Sequence, residues 1–242
     1  MTKPLGHKSY GSIPHLPSSR MGLGDHCCEL GMARIATAKT RDKYDRVIVQ
    51  EKLDGSNVSV AKIDGMIVPL VRSGYVANTS PYEQHHHFAN WVYLHQQRFF
   101  DFLENGERIC GEWLAQAHGT RYNLPHEPFV GFDLMRGSIR STWDELRDHA
   151  SCFDIITPRL LSDGAAFSIE SALKSIEVSG HGAIDPVEGA IWRVERIDTG
   201  KVDFLVKYVR PEKKDGCYLP EINGKTAIWN WKSDFASEFL TL

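Results

Sequence analysis

The chain has 242 residues, a formal net charge of −3, and 42% hydrophobic against 24% charged residues. Its mean hydropathy is −0.32, and no apolar run approaches the roughly 18 residues of a membrane helix, which excludes a transmembrane protein. Abundant apolar residues with scattered Gly and Pro exclude disorder. The first twenty residues carry Lys3, Lys8 and Arg20, no acid and no continuous hydrophobic segment, so they do not form a secretory signal. A monomer in the cytoplasm is the expectation. The five cysteines, at 27, 28, 110, 152 and 217, are odd in number and lack CxxC spacing, as expected of reduced thiols. The length suits a single domain over 1–242 that can bury a core without staples.

In chain order, residues 1–30 read as an irregular lead-in, with Pro4, Pro14, Pro17 and several Gly and Ser. Strand-like patterning follows over 46–53, 57–63 and 66–72, with Asp54-Gly55-Ser56 and Asp64-Gly65 as turn signals, and predicts an antiparallel meander. Pro81 opens a stretch to about residue 103 in which Phe88, Trp91, Val92, His95, Phe99 and Phe102 recur at helical spacing, predicting one helix with a core face. Further strands are expected over 108–114, 129–135, 190–195 and 202–209. A helix is expected from the Thr142-Trp-Asp-Glu capping box, and another after Ser168. Strands outnumber helices without βαβ alternation, so the fold class is α+β with a largely antiparallel sheet. Charge is uneven: residues 193–214 are locally basic, which suits phosphate binding even in a near-neutral chain.

The sharpest local feature is Lys52-Leu53-Asp54-Gly55-Ser56-Asn57, where a strand enters a turn. A lysine amine is a nucleophile only when neutral, about once in 2,500 at pH 7 if unperturbed, so a site that uses one must depress its pKa. Asp54 would share a face with Lys52 on a continuing strand. Further short motifs follow in order: Arg72-Ser73-Gly74, Gly111-Glu112-Trp113, Phe132-Asp133, Glu188-Gly189 and Lys207. Taken together, they resemble the covalent nucleotidyltransferase superfamily of polynucleotide ligases and capping enzymes, and most nearly the ATP-dependent RNA ligases of the RNA ligase 2 type.

That resemblance implies an α+β nucleotidyltransferase fold, ATP-grasp-like, with antiparallel sheets flanked by helices. It also implies ATP as substrate, Mg2+ or Mn2+ as cofactor and RNA as partner. Lys52 would attack the α-phosphorus of ATP to give lysyl-AMP, with Asp54 supporting it and Lys207 holding the α-phosphate. Asn57, Arg72, Glu112, Phe132, Glu188 and Arg210 would line the nucleotide site, Glu112 on the ribose and Phe132 on the adenine. Glu188 and Asp133 would bind metal. The last motif departs from the family's Lys-x-Lys or Lys-x-Arg, because Lys207 is followed by Tyr208, Val209 and Arg210. On a strand Arg210 points to the opposite face, so Lys213 and Lys214 compete with it as phosphate contacts.

The stretch after Arg210 looks too short for an OB-fold or helical C-terminal domain, and 213–242 is expected to pack back on the catalytic unit. Without a clamp, an end aligned by base pairing is the expected substrate, hence nicks in duplex RNA. A DNA ligase or capping guanylyltransferase, or a non-catalytic module that binds RNA ends or nucleotides, are the alternatives. Several residues read as structure rather than chemistry: His85-His86-His87, the Trp91 and Phe99 helix face, and Trp229 with Trp231. Glu51 is left outside the catalytic set.

Overall fold

The computed structural model describes residues 2–231. Two antiparallel sheets form its frame. The strands are β1 (Asp45–Lys52), β2 (Ser56–Ile63), β3 (Met66–Val71), β4 (Glu107–Trp113), β5 (Phe129–Arg136), β6 (Ile139–Arg140), β7 (Leu160–Gly164), β8 (Gly189–Arg196) and β9 (Lys201–Val209). The four-stranded sheet has the order β7-β1-β8-β9, and the five-stranded sheet the order β3-β2-β4-β5-β6.

The expected three-strand meander is corrected at its first step. β2 and β3 form a hairpin, but β1 pairs with β7 and β8 in the other sheet. The chain crosses between sheets at Leu53-Asp54-Gly55. There the Asp54 amide donates to the Tyr122 hydroxyl at 3.1 Å, and Gly55 lies so close to the Trp113 carbonyl that a Cβ could not fit. Apolar alternation fixes which residues face inward; it does not say which strand is the neighbour.

The helices are α1 (Leu30–Thr37), α2 (Glu83–Leu94), α3 (Gln96–Phe102), α4 (Trp143–Cys152), α5 (Ile169–Ser175) and α6 (Pro220–Asn223). The single helix expected over 81–103 is broken at His95. Its Nδ1 lies 2.8 Å from the Trp91 carbonyl and its backbone leaves the helical region, so α3 starts afresh. The capping box of α4 forms as read, with Thr142 and Glu145 bonding reciprocally, and Ser168 caps α5.

Apolar burial supplies the cohesion. Phe88, Trp91, Phe99, Phe102, Trp113, Phe129 and Trp143 form one core between the five-stranded sheet and α2–α4, each such side chain contributing about 1.5–3 kcal/mol. A second core joins α1 and α5 to the four-stranded sheet through Leu16, Ala36, Val47, Trp192 and Val206. Residues 228–231 are tied down: Asn230 Nδ2 donates to the Leu114 carbonyl at 2.8 Å, and the Asn230 and Trp231 amides donate to the Ala115 carbonyl. Trp229 and Trp231, read as structure rather than chemistry, pack against the first core, while 232–242 lie outside the described residues. All five cysteines are free thiols. No helix among the described residues is long and apolar enough to cross a membrane.

The lead-in is ordered and bridges the sheets. On the five-stranded side, the Ser9 amide donates to the Arg72 carbonyl at 3.1 Å and buried Arg108 donates to the Ser9 carbonyl at 2.8 Å. On the four-stranded side, Pro14 and Leu16 bond the backbone of Lys207 on β9.

Candidate active site

A cavity of about 1220 Å³ opens between the sheets, lined by both of them, by the crossing at 53–55 and by residues 8–13 of the lead-in. Lys52 enters it from the last position of β1, opposite Gly189. Its Nζ donates to Glu188 Oε2 at 2.6 Å and to its neighbour's carbonyl, Leu53 O, at 3.2 Å, with the side chain 19% exposed. Burial presses this amine toward neutrality, but Glu188, Glu112 and Asp54 outweigh it and hold it above the ordinary lysine range. In this arrangement the acids favour the ammonium form of Lys52, and only a counter-charge that offsets them would free the amine.

Glu112, on β4 opposite Asn57, accepts from the Gly55 amide at 3.1 Å. Burial raises its pKa, Lys52 opposes and Glu188 adds to the rise, which takes it to about 7. Burial likewise raises Glu188, against the pull of Lys52. The Asn57 side-chain oxygen is buried on the cavity wall with no hydrogen-bond partner in the protein, an orphan that a ligand donor would satisfy. Phe132 of β5 meets Tyr10 edge-on, with ring centroids 5.1 Å apart, and presents an apolar face to the cavity. Arg72, just past β3, reaches the Gly11 carbonyl and Ser12 hydroxyl at 3.3 Å each. Lys207 lines the same cavity from β9, its pKa lowered by burial and by the charge of Lys52.

Asp54 also lines the cavity, but not as the parity of a continuing strand suggests. β1 ends at Lys52, and the Asp54 carboxylate turns to accept from the Gly119 amide at 3.0 Å, the Thr120 hydroxyl at 3.0 Å and Lys213 Nζ at 2.8 Å.

Two expectations are corrected by this geometry. Asp133 is fully buried, and its oxygens are taken by Tyr10 at 2.5 Å, Arg140 at 3.0 Å and Arg193, so it has no free oxygen for a metal ion. It braces the floor beneath Phe132 instead. Arg210, one residue past the end of β9, does not line the main cavity; it lies 3.7 Å from Glu212 and faces a smaller depression with Pro186 and Val187. Lys213, its competitor in sequence, is the basic residue that reaches the site, through Asp54.

The three histidines diverge. His85 contacts the Ser80 hydroxyl, His86 the Ser80 carbonyl and His87 the Glu83 carboxylate. The Glu51 carboxylate accepts from Ser179 and the Gly180 amide and so braces that loop. Sequence reasoning missed Tyr10, Asp25 and Arg193. Each acts across sixty residues of chain or from the lead-in, and no local pattern announces such a contact.

Among the described residues, no three His, Cys, Asp or Glu side chains converge into a cluster able to hold a metal ion. A magnesium-type ion needs fewer, since it binds through one or two carboxylates plus substrate phosphates and keeps its waters. Glu188, a cavity-lining carboxylate with only Oε2 engaged by Lys52, fits such an ion as its protein ligand.

Comparison with known proteins agrees on the fold. Over residues 45–209 the chain matches the RNA ligase family. It is 30% identical over 95 residues to Uncharacterized protein MJ0414 of Methanocaldococcus jannaschii, covering 38% of this chain and 20% of that protein. Among solved structures it is similar to the Naegleria gruberi RNA ligase with PPi, at 18% identity and TM-score 0.51 over 76% of this chain and 53% of that one. An apo mutant of the same Naegleria ligase gives 14% identity and TM-score 0.52 over 90% and 60%. The chain thus spans about a fifth of the curated relative and just over half of these structures. The family match covers both strands that carry the lysines of the cavity and the acids between them, and on it the chain belongs to the RNA ligase family.

Proposed function

We propose that this protein is an ATP-dependent RNA ligase that joins 5′-phosphate and 3′-hydroxyl ends through a lysyl-AMP formed on Lys52. The observation that carries the reading is Lys52 Nζ held 2.6 Å from Glu188 inside a cavity whose other walls bring Glu112, Phe132 and Lys207. Binding alone needs no half-buried lysine among acids at this place.

Lys52 Nζ attacks the α-phosphorus of ATP; the new N–P bond forms as the bond to the bridging oxygen breaks, and pyrophosphate leaves. Glu188 Oε2 faces the amine and Lys207 supplies positive charge where the α-phosphate gathers negative charge. A divalent cation held at Glu188 would add positive charge beside Lys52 and favour its neutral form. Glu112 is placed for the ribose hydroxyls and Phe132 for the base. AMP then passes to the RNA 5′-phosphate, and the 3′-hydroxyl displaces it.

The preferred substrate in this reading is a nick in duplex RNA, where pairing aligns both ends and A-form shape with 2′-hydroxyls distinguishes RNA from DNA. We read the protein as a cytoplasmic monomer, which fractionation and sedimentation would check. The primary test incubates it with α-labelled ATP and divalent metal, after pyrophosphate treatment to remove bound AMP, followed by denaturing electrophoresis and intact mass. An AMP adduct on Lys52 is expected, and Lys52→Ala should reduce labelling by about a thousandfold or more, as loss of a nucleophile does. Labelling by GTP in place of ATP would instead make it capping-like, and faster sealing of all-DNA nicks would remove RNA as substrate.

A further inference from the structure

Lys207 is gripped by the lead-in at both backbone and side chain. The Leu16 amide donates to the Lys207 carbonyl at 2.8 Å and the Lys207 amide to the Pro14 carbonyl at 3.0 Å. Two residues on, the Arg20 amide donates to the Val209 carbonyl at 3.0 Å, and the Val209 amide to the Ser19 hydroxyl at 2.9 Å. Residues 14–20 thus lie along the edge of β9 like an added strand. The chain then turns back. The Gly22 amide donates to Asp25 Oδ2 at 2.9 Å, the His15 amide to the His26 carbonyl and the Cys28 amide to the His15 carbonyl, both at 2.8 Å.

This doubled edge delivers one carboxylate to the site. Asp25 Oδ2 serves its own turn and lies 3.0 Å from Nε2 of buried His15, off the line of a good hydrogen bond. Its Oδ1 is turned the other way, 3.6 Å from Lys207 Nζ. A turn-capping aspartate needs only one oxygen, so the second has no local purpose. Lys207 is otherwise faced by Lys52 from β1 and Arg72 past β3, both repelling it, and by Glu188, whose carboxylate is already engaged by Lys52.

We propose that Asp25 is a positioning residue for Lys207, its Oδ1 holding that ammonium in the cavity against the charge of Lys52, where it can meet a phosphate. His15 walls Asp25 in from behind, with Nδ1 2.7 Å from the Ser19 hydroxyl. The ligand concerned is the α-phosphate of a nucleoside triphosphate, so the inference rests on the adenylylation reading above. The lowered pKa of Lys207 gives the pairing a purpose: without Asp25, burial and Lys52 would act on it less opposed.

The test uses the full chain and measures Lys52–AMP formation against ATP concentration in wild type, Asp25→Asn, Asp25→Glu, Lys207→Ala and the Asp25→Asn/Lys207→Ala double variant. Asp25→Asn should slow the step about tenfold at saturating ATP, change half-saturation much less and be largely rescued by Asp25→Glu. In the Lys207→Ala background it should change the rate by less than about twofold, because two residues that act as one do not add. Wild-type rates in Asp25→Asn, or the same slowing in both backgrounds, would overturn the proposal, the latter by marking a structural role. A second readout needs no adduct: NMR titration of 13Cε-labelled lysine should find Lys207 losing its proton at lower pH in Asp25→Asn than in wild type. An unchanged titration would overturn the pairing. Absence of an adduct in wild type would sink the ligase reading alone and leave the titration to decide.

Discussion

At the scale of single residues, the site is a balance between burial and opposed charges. Glu112 shows it most plainly. Its pKa near 7 in the folded protein stands above the usual 4.5, so between those values the folded state holds a proton that the unfolded chain has released. The stability linked to that proton is full below about pH 4.5 and is lost as pH rises through about 7. Glu112→Gln cannot titrate and keeps an acceptor for the Gly55 amide. Urea unfolding should therefore show a shallower decline in stability between about pH 5 and 8 than in wild type; an unchanged slope would place the proton elsewhere. Lys52, Glu112, Glu188 and Lys207 were expected from the resemblance that their short motifs carry in order, and all four line the cavity. Asp133 was read as a ligand from adjacency to Phe132, and adjacency does not report that Arg193 and Tyr10 fill it; Arg210 stood in for the second basic residue of the family's last motif, and it faces a different depression.

At the scale of elements, strand positions could be read because alternation is a local property, whereas sheet membership could not. Residues 46–53 and 57–63 alternate alike, yet one strand belongs to each sheet. What decides the matter is the crossing, where Gly55 packs against the Trp113 carbonyl and the Leu114 side chain. Gly55→Ala forces a methyl into backbone that cannot yield as a side-chain tip would. We expect a loss of about 2 kcal/mol or more, read as a lowered urea midpoint. Because Lys52 and Asp54 flank the crossing, adenylylation should fall as well; a variant as stable and active as wild type would mean that the crossing relaxes freely. The break at His95 shows the same limit for helices. Apolar spacing runs unbroken through the residue, but its ring binds the carbonyl of Trp91 and ends the helix.

At the scale of the whole molecule, the lead-in is the part least legible beforehand. Its Pro- and Gly-rich sequence reads as irregular, and it is irregular, yet it lines the cavity and joins both sheets. Arg108 is only 3% exposed and gives its hydrogen bonds to Ser9 and Gly137 carbonyls, while Asp133 takes one from Tyr10. Removing residues 2–13 deprives a buried cation and a buried carboxylate of partners at once, a loss on the order of 3 kcal/mol or more. Thermal unfolding should detect it directly, and a truncated chain that melts with wild type would show the segment to be a mere covering.

The stretch matched to the RNA ligase family begins at residue 45 and ends at 209, but two charges paired with its cavity residues come from beyond both limits. Asp25 stands before it, beside Lys207, and Lys213 after it, on Asp54. On the proposed reading, a chimera made by grafting 45–209 into a foreign ligase would inherit Lys52 and the acids around it without these counter-charges. To work, the recipient must supply a carboxylate on one flank and an ammonium on the other, which makes compatibility of the flanks, rather than likeness of the grafted stretch, the criterion for exchanging catalytic cores in this family.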